Sequence, residues 1–209
     1  MSDTFADLIS KEREATQMTL SKIRDHLPID PWEASAYAVS MGLAIHVPRM
    51  LYEAWKEGAI PDLELALWAV WVHNRSPLQG LGERRWLQLF KAAGFAVVTG
   101  GTAGTVAEYE HLSEKPTEPI TVWRGAALTN GRGMSWSVHR GCARGFAVGV
   151  SQDGIESAVF EATVPVRAVL ALFGDAREQE CVVNPNMLRG RVRIDEMIPA
   201  QGLRTWPPA

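Results

Sequence analysis

Cysteine is almost absent from this 209-residue chain: Cys142 and Cys181 are its two thiols. They stand far apart, and neither falls in a CxxC or Cys/His spacing, so a structural zinc site is not expected. A single disulfide stays open, with a reducing compartment as the default. An excess of positive charge is also lacking. Lys and Arg number 21 against 24 Asp and Glu, for a net charge of -3. Binding to nucleic acid through bulk phosphate attraction is therefore not expected. No long apolar run occurs either. The longest, LALWAVWV at 65–72, falls well short of the ~20 residues that a membrane span requires. The opening MSDTFADLISKERE has neither a basic n-region nor an apolar stretch, so no secretory signal is read there. A cytoplasmic protein without a membrane partner is expected, with delivery into another cell left open. A phosphate loop is missing as well: Gly100-Gly101-Thr102-Ala103-Gly104 has neither the Lys nor the spacing. No internal repeat or low-complexity tract is found.

What is present is ordinary globular composition, 46% hydrophobic and 22% charged, enough for one full domain or two small ones. The two halves differ. Acids outnumber bases in residues 1–117, whereas the balance is near zero in 118–209 and every base there is Arg. The first half has helical spacing. Phe5, Leu8 and Ile9, then Ile23 and Leu27, fall among good helix formers. Asp30-Pro31-Trp32-Glu33 has the N-cap, first-turn proline and capping-box acid of a helix start. Pro48 predicts a break near His46. A further helix is expected from about Pro61 to Asn74, with Leu65, Trp68 and Val72 as its buried stripe. Another is expected over 82–93, with Trp86, Leu87 and Phe90 inward and Gly94 closing it in the αL conformation. The tryptophans at 32, 55, 68, 71 and 86 read as core, since no basic residues interleave them as a base-stacking surface would require.

Residues 100–119 read as a linker or exposed loop. Strands are expected beyond it at 120–124, 134–138, 158–164, 169–173, 178–183 and 192–198, with one helix at 139–150. The expected fold is α+β: a helical region at 1–116 followed by a strand-rich core at 117–209.

Three short motifs in the second half bear chemistry. In Thr121-Val122-Trp123-Arg124-Gly125, a strand ends in a guanidinium beside a residue with no side chain, a combination that suits a phosphate-bearing ligand. Alone, Arg124 reads more simply as a surface or salt-bridged arginine, since arginine is mostly exposed. In Gly133-Met134-Ser135-Trp136-Ser137, strand alternation puts both hydroxyls on one side and Met134, Trp136 and Val138 on the other. Alone, it is a half-buried strand with a polar face. In Arg177-Glu178-Gln179-Glu180-Cys181, alternation puts two carboxylates on one face, a costly pairing unless a cation or ligand uses it. Such a pair suits stabilisation of a sugar cation and activation of an acceptor. Alone, it is a solvated strand start. His139, just after the second motif, reads as a surface or helix-capping histidine.

Taken in order, Arg, Ser-x-Ser and Glu-x-Glu on successive strands resemble the arginine-type mono-ADP-ribosyltransferases, recognised by an R-S-E triad. The resemblance covers roughly residues 119–190. Trp136 replaces the middle Thr of the family's Ser-Thr-Ser, and the loop between Arg124 and Ser135 is shorter than in many relatives. The absence of Tyr after position 109 disfavours the diphtheria-type H-Y-E arrangement.

The resemblance implies a mixed two-sheet core with NAD+ bound between the sheets, and no metal. Arg124 would pair with the pyrophosphate, and the Gly125 backbone would hold the nicotinamide carboxamide. Phe146, in Cys142-Ala143-Arg144-Gly145-Phe146, would stack on the nicotinamide ring. Ser137 belongs to the same NAD+-binding set. Ser135 would orient Glu180, the catalytic carboxylate, and Glu178 would activate an acceptor, typically a protein arginine. Two rival functions remain: an NAD+ glycohydrolase, and a non-catalytic protein-binding module that keeps the fold.

Overall fold

The computed structural model describes residues 47–58, 60, 63–73, 80–98, 114–173 and 179–201. These belong to two compact units, divided in the chain between Gly94 and Phe95. The expected helix start at Asp30, the apolar spacing from Phe5 to Leu27, Trp32, and Glu178 lie outside the described residues.

In the first unit, helices α1 (Val47–Lys56), α2 (Leu63–His73) and α3 (Glu83–Ala93) are described, with α2 packed against both others. Pro48 falls in the first turn of α1, where its missing N–H has no helical partner to lose. Val47, Met50, Leu51 and Ala54 are buried, the i, i+3, i+4, i+7 spacing of an amphipathic helix. Of the stripe expected on α2, the side chains of Leu65 and Val72 lie outside the described residues. Ala66, Leu67, Val70 and Trp71 are buried, while Trp68 is only half-buried. Because α2 packs against two neighbours, its apolar side is wide and periodicity alone does not locate its centre. Trp86, Leu87 and Phe90 of α3 are inward as expected. Trp71 meets Trp86 edge-on at 4.9 Å and Phe90 at 5.1 Å, a favourable aromatic geometry. Gly94 ends α3 with its N–H donating to the Phe90 carbonyl. Its φ of 84° is positive, but its ψ of -170° lies outside the αL well, in a region open essentially to glycine.

The second unit is built on one seven-stranded sheet in the order β1-β5-β6-β3-β2-β4-β7. Its strands are β1 (Ala96–Val98), β2 (Ile120–Ala127), β3 (Ser135–Ser137), β4 (Ser157–Val164), β5 (Val169–Phe173), β6 (Glu180–Val183) and β7 (Val192–Ile198). The sheet is mixed: β1 runs parallel to β5, and the other pairs are antiparallel. Helix α4 (Arg140–Gln152) lies against β2 and β4.

Two features depart from the sequence expectation. β1 lies ahead of residue 117, so the sheet draws a strand from the stretch assigned to the helical region. The two small sheets are also a single one, because β3 pairs with β6 on one side and with β2 on the other. That junction is thin. β2 and β4 share eight register pairs from Ile120↔Val164 to Ala127↔Ser157, whereas β2 and β3 share only Trp123↔Ser137.

The core sits on both faces of β4. Ala158, Phe160, Ala162 and Val164 join Val122, Ala126, Trp136, Leu172, Cys181 and Leu188 in one cluster. On the other face, Val159 packs with Ala143 and Ala147 of α4 and with Ile198. Gly125 makes that second layer possible. A Cβ there would lie 1.8 Å from the Ala143 carbonyl oxygen and 2.5 Å from the Ala147 nitrogen, so the helix backbone rests directly on the strand.

Candidate functional site

The thin junction is where the sequence motifs converge. Register places Ser137 across from Trp123 on β2 and from Glu180 on β6. Directly opposed residues share a face, so Ser137 and Glu180 stand together beside Trp123, while Trp136 and Cys181 form the next pair on the core side. Ser135, the serine expected to orient Glu180, lies instead across from Val182. Ser137 is the serine in register with the carboxylate, and it is buried. A strand motif identifies the face but not the register, which is fixed only by pairing with β6.

Arg124 leaves β2 between Trp123 and Gly125 and is tied back to the loop before β3. Its Nη1 donates to the Ser135 carbonyl at 2.6 Å and its Nε to the Asn130 carbonyl at 3.3 Å. A Cβ at Gly133 would lie 2.7 Å from the guanidinium carbon, so that glycine leaves the space the group occupies. Trp136 pins the same loop by donating its indole N–H to the Gly133 carbonyl at 2.8 Å. Burial pushes the Arg124 guanidinium below its ordinary pKa, and the Glu180 carboxylate acts in the opposite direction. The first and third motifs, far apart in the chain, are thus electrostatically coupled. Burial, with the Glu180 charge next in line, pushes the Cys181 thiol well up, which makes it a core residue rather than a nucleophile.

The other expected site residues are placed less centrally. The side of Gly125 that lacks a side chain is covered by α4, so close helix packing already accounts for the glycine. Phe146 is on α4 and is 50% exposed, as single surface hydrophobics commonly are. Glu178 is outside the described residues, so its shared face with Glu180 has no structural account. His139 occupies the N-cap position of α4, but its side chain makes no capping bond. Its Nε2 lies 2.8 Å from Oε1 of Gln179. No local pattern marks that partnership, because the two residues are 40 positions apart.

Among the described residues, no group of His, Cys, Asp and Glu is placed to hold a metal ion, and no helix is long and apolar enough to cross a membrane. The chain matches no family model, no curated protein and no solved structure.

Proposed function

We propose that the chain is a mono-ADP-ribosyltransferase that moves ADP-ribose from NAD+ to a protein side chain, most simply an arginine, with release of nicotinamide. The observation that carries this reading is the meeting of Arg124, the Ser-x-Ser strand and Glu180 at the near-break between β2 and β3. A partly buried guanidinium coupled to a carboxylate at this thin junction suits a dinucleotide, whose pyrophosphate is anionic and whose reacting ribose becomes cationic.

Glu180 would stabilise the positive charge that develops on the ribose as the bond to nicotinamide breaks, an interaction stronger in the transition state than before it. Nicotinamide leaves with the electron pair of that bond. The acceptor then supplies the pair for the new bond and loses a proton. Ser137, in register with Glu180, would steady the carboxylate. Arg124 has donors engaged with Asn130 and Ser135, so it would hold the loop that borders the dinucleotide as well as offering charge to the pyrophosphate. Phe146 remains the candidate to stack on nicotinamide, and Glu178 the candidate to activate the acceptor.

The test is nicotinamide release from NAD+, with agmatine and cell-lysate protein as acceptors of labelled ADP-ribose. Wild type should release nicotinamide and label the acceptor. Glu180→Gln, nearly isosteric, should keep the fold and lose at least ~100-fold in turnover, the scale of removing one transition-state electrostatic contact. A folded Gln variant with wild-type turnover ends the reading. Release without labelling would make water the acceptor and the protein an NAD+ glycohydrolase.

A further inference from the structure

Glu180 opens β6, and the residue before it is held in an unusual way. Gln179 is only 5% exposed, although glutamine is mostly a surface residue. Its backbone carbonyl accepts from the Val138 N–H at 3.1 Å, and its side-chain Oε1 lies 2.8 Å from Nε2 of His139. His139 is fixed in turn. Its backbone N–H donates to Ser137 Oγ at 3.0 Å, and its carbonyl accepts from the Ala143 N–H at 3.3 Å in the first turn of α4. Two adjacent chain segments, 137–139 and 179–180, are thereby clamped beside the Ser137↔Glu180 register pair. The far side of the Gln179 amide is left poor: Nε2 is buried with no hydrogen-bond partner among the described residues. A buried amide with half its capacity unmet is a costly way to fill a core.

We propose that His139 is a positioning residue for the reaction. Its bond to Gln179 sets the backbone from which the Glu180 carboxylate projects, and it acts through that backbone without touching NAD+. This rests on the reading of Glu180 as the catalytic carboxylate. With Oε1 as acceptor, the bond requires a proton on Nε2 of His139. The clamp therefore acts on the backbone immediately before β6, where Glu180 begins the strand. Groups that act only in the transition state are sensitive to such placement, and small displacements cost large factors in rate.

The test is steady-state nicotinamide release by the full chain, with kcat and KM for NAD+ measured separately for wild type, His139→Ala, His139→Gln and Gln179→Met. His139→Ala should lower kcat by ~10-fold or more, with KM changed by no more than about twofold. His139→Gln, which presents an amide donor at similar reach, should recover most of that loss. Gln179→Met removes the acceptor at nearly constant volume and should behave like His139→Ala, which keeps the test open if the alanine variant does not fold. A folded His139→Ala or Gln179→Met enzyme with wild-type kcat overturns the proposal, as does a rise in KM that accounts for the whole effect. So does a glutamine variant no better than alanine. Loss of turnover in Glu180→Gln alongside full activity in His139→Ala would overturn the clamp and leave the reading of Glu180 standing. A wild-type protein that cleaves no NAD+ removes both.

Discussion

The two edges of β2 are made differently. One is zipped to β4 by eight consecutive pairs, with α4 laid on the face above; the other is held to β3 at Trp123↔Ser137 alone. On the zipped side, apolar residues face both ways and backbone groups are consumed by the ladder. On the open side, a loop takes over, and the Arg124 side chain binds the carbonyls of Asn130 and Ser135 where further strand pairs would otherwise form. The same eight-residue strand is therefore zipped scaffold on one edge and the candidate site on the other.

Two glycines separate these roles. Gly125→Ala strikes the zipped side: its new Cβ would meet the backbone of Ala143 and Ala147, which has no rotamer with which to yield. The helix must lift from the strand, at or above the ~3 kcal/mol upper end of overpacking costs. Urea unfolding should show a larger loss of stability for this change than for Gly133→Ala or Glu196→Gln. A variant as stable as wild type would mean that α4 does not rest on β2. Gly133→Ala strikes the open side. Its Cβ would displace the Arg124 guanidinium, a side-chain end, so stability should fall by only ~1 kcal/mol while NAD+ turnover falls steeply. Because both changes act through one group, Arg124→Ala in the Gly133→Ala background should add little. Additive losses in turnover would dissociate the loop from the arginine.

The difference between the edges also explains what the sequence makes legible. The strands of the core stand close to their expected positions because alternation or continuous apolar character marks them locally, as in Val159, Phe160 and Ala162 of β4. β1 escapes because a run of three residues soon after a helix has no period, and it is parallel pairing with β5 that makes them a strand. Register escapes too, so the motif alone cannot rank Ser137 above Ser135. Gly125 reads as an open place for a ligand until α4 is seen to cover it. The His139–Gln179 bond joins residues from two motifs that local pattern treats separately. Side-chain chemistry is written along the chain, whereas the choice among identical residues is made by tertiary pairing.

On the outer face of α4 the comparison can be sharpened by a gain rather than a loss. A Cβ at Gly145 would meet nothing within 4 Å, and its φ is not positive. Here glycine only adds unfolded-state entropy to a helix interior. Gly145→Ala should stabilise the core by ~0.5 to 1 kcal/mol in the same urea experiment. Equal alanine changes at 125 and 145 would then differ in sign, which isolates the helix contact as the cause.

The smallest expected effect comes from the far rim of the zipped side. A register shift between Val159 and Phe160 marks a bulge in the pairing of β4 with β7. An extra residue in a strand lets neighbours share a face, and Asp195 and Glu196 both reach α4. Arg140 bonds Asp195 and Glu196 at 2.7 Å each, and Arg144 bonds Glu196 at 2.9 Å. The hydrogen bond from Arg144, and then that from Arg140, hold the Glu196 carboxyl below its ordinary pKa of 4.5. A carboxyl depressed in the folded state contributes stability that is fully present above its unfolded pKa and disappears as pH falls through the folded one. Glu196→Gln should therefore cost a little stability at pH 7. The difference from wild type should close as pH is lowered from about 5 toward 3, the range around and below that ordinary value. Because the arginines are solvated, high salt should shrink the difference at every pH. A difference that persists at pH 3, or that grows with salt, would show that Glu196 matters for packing and not for its charge.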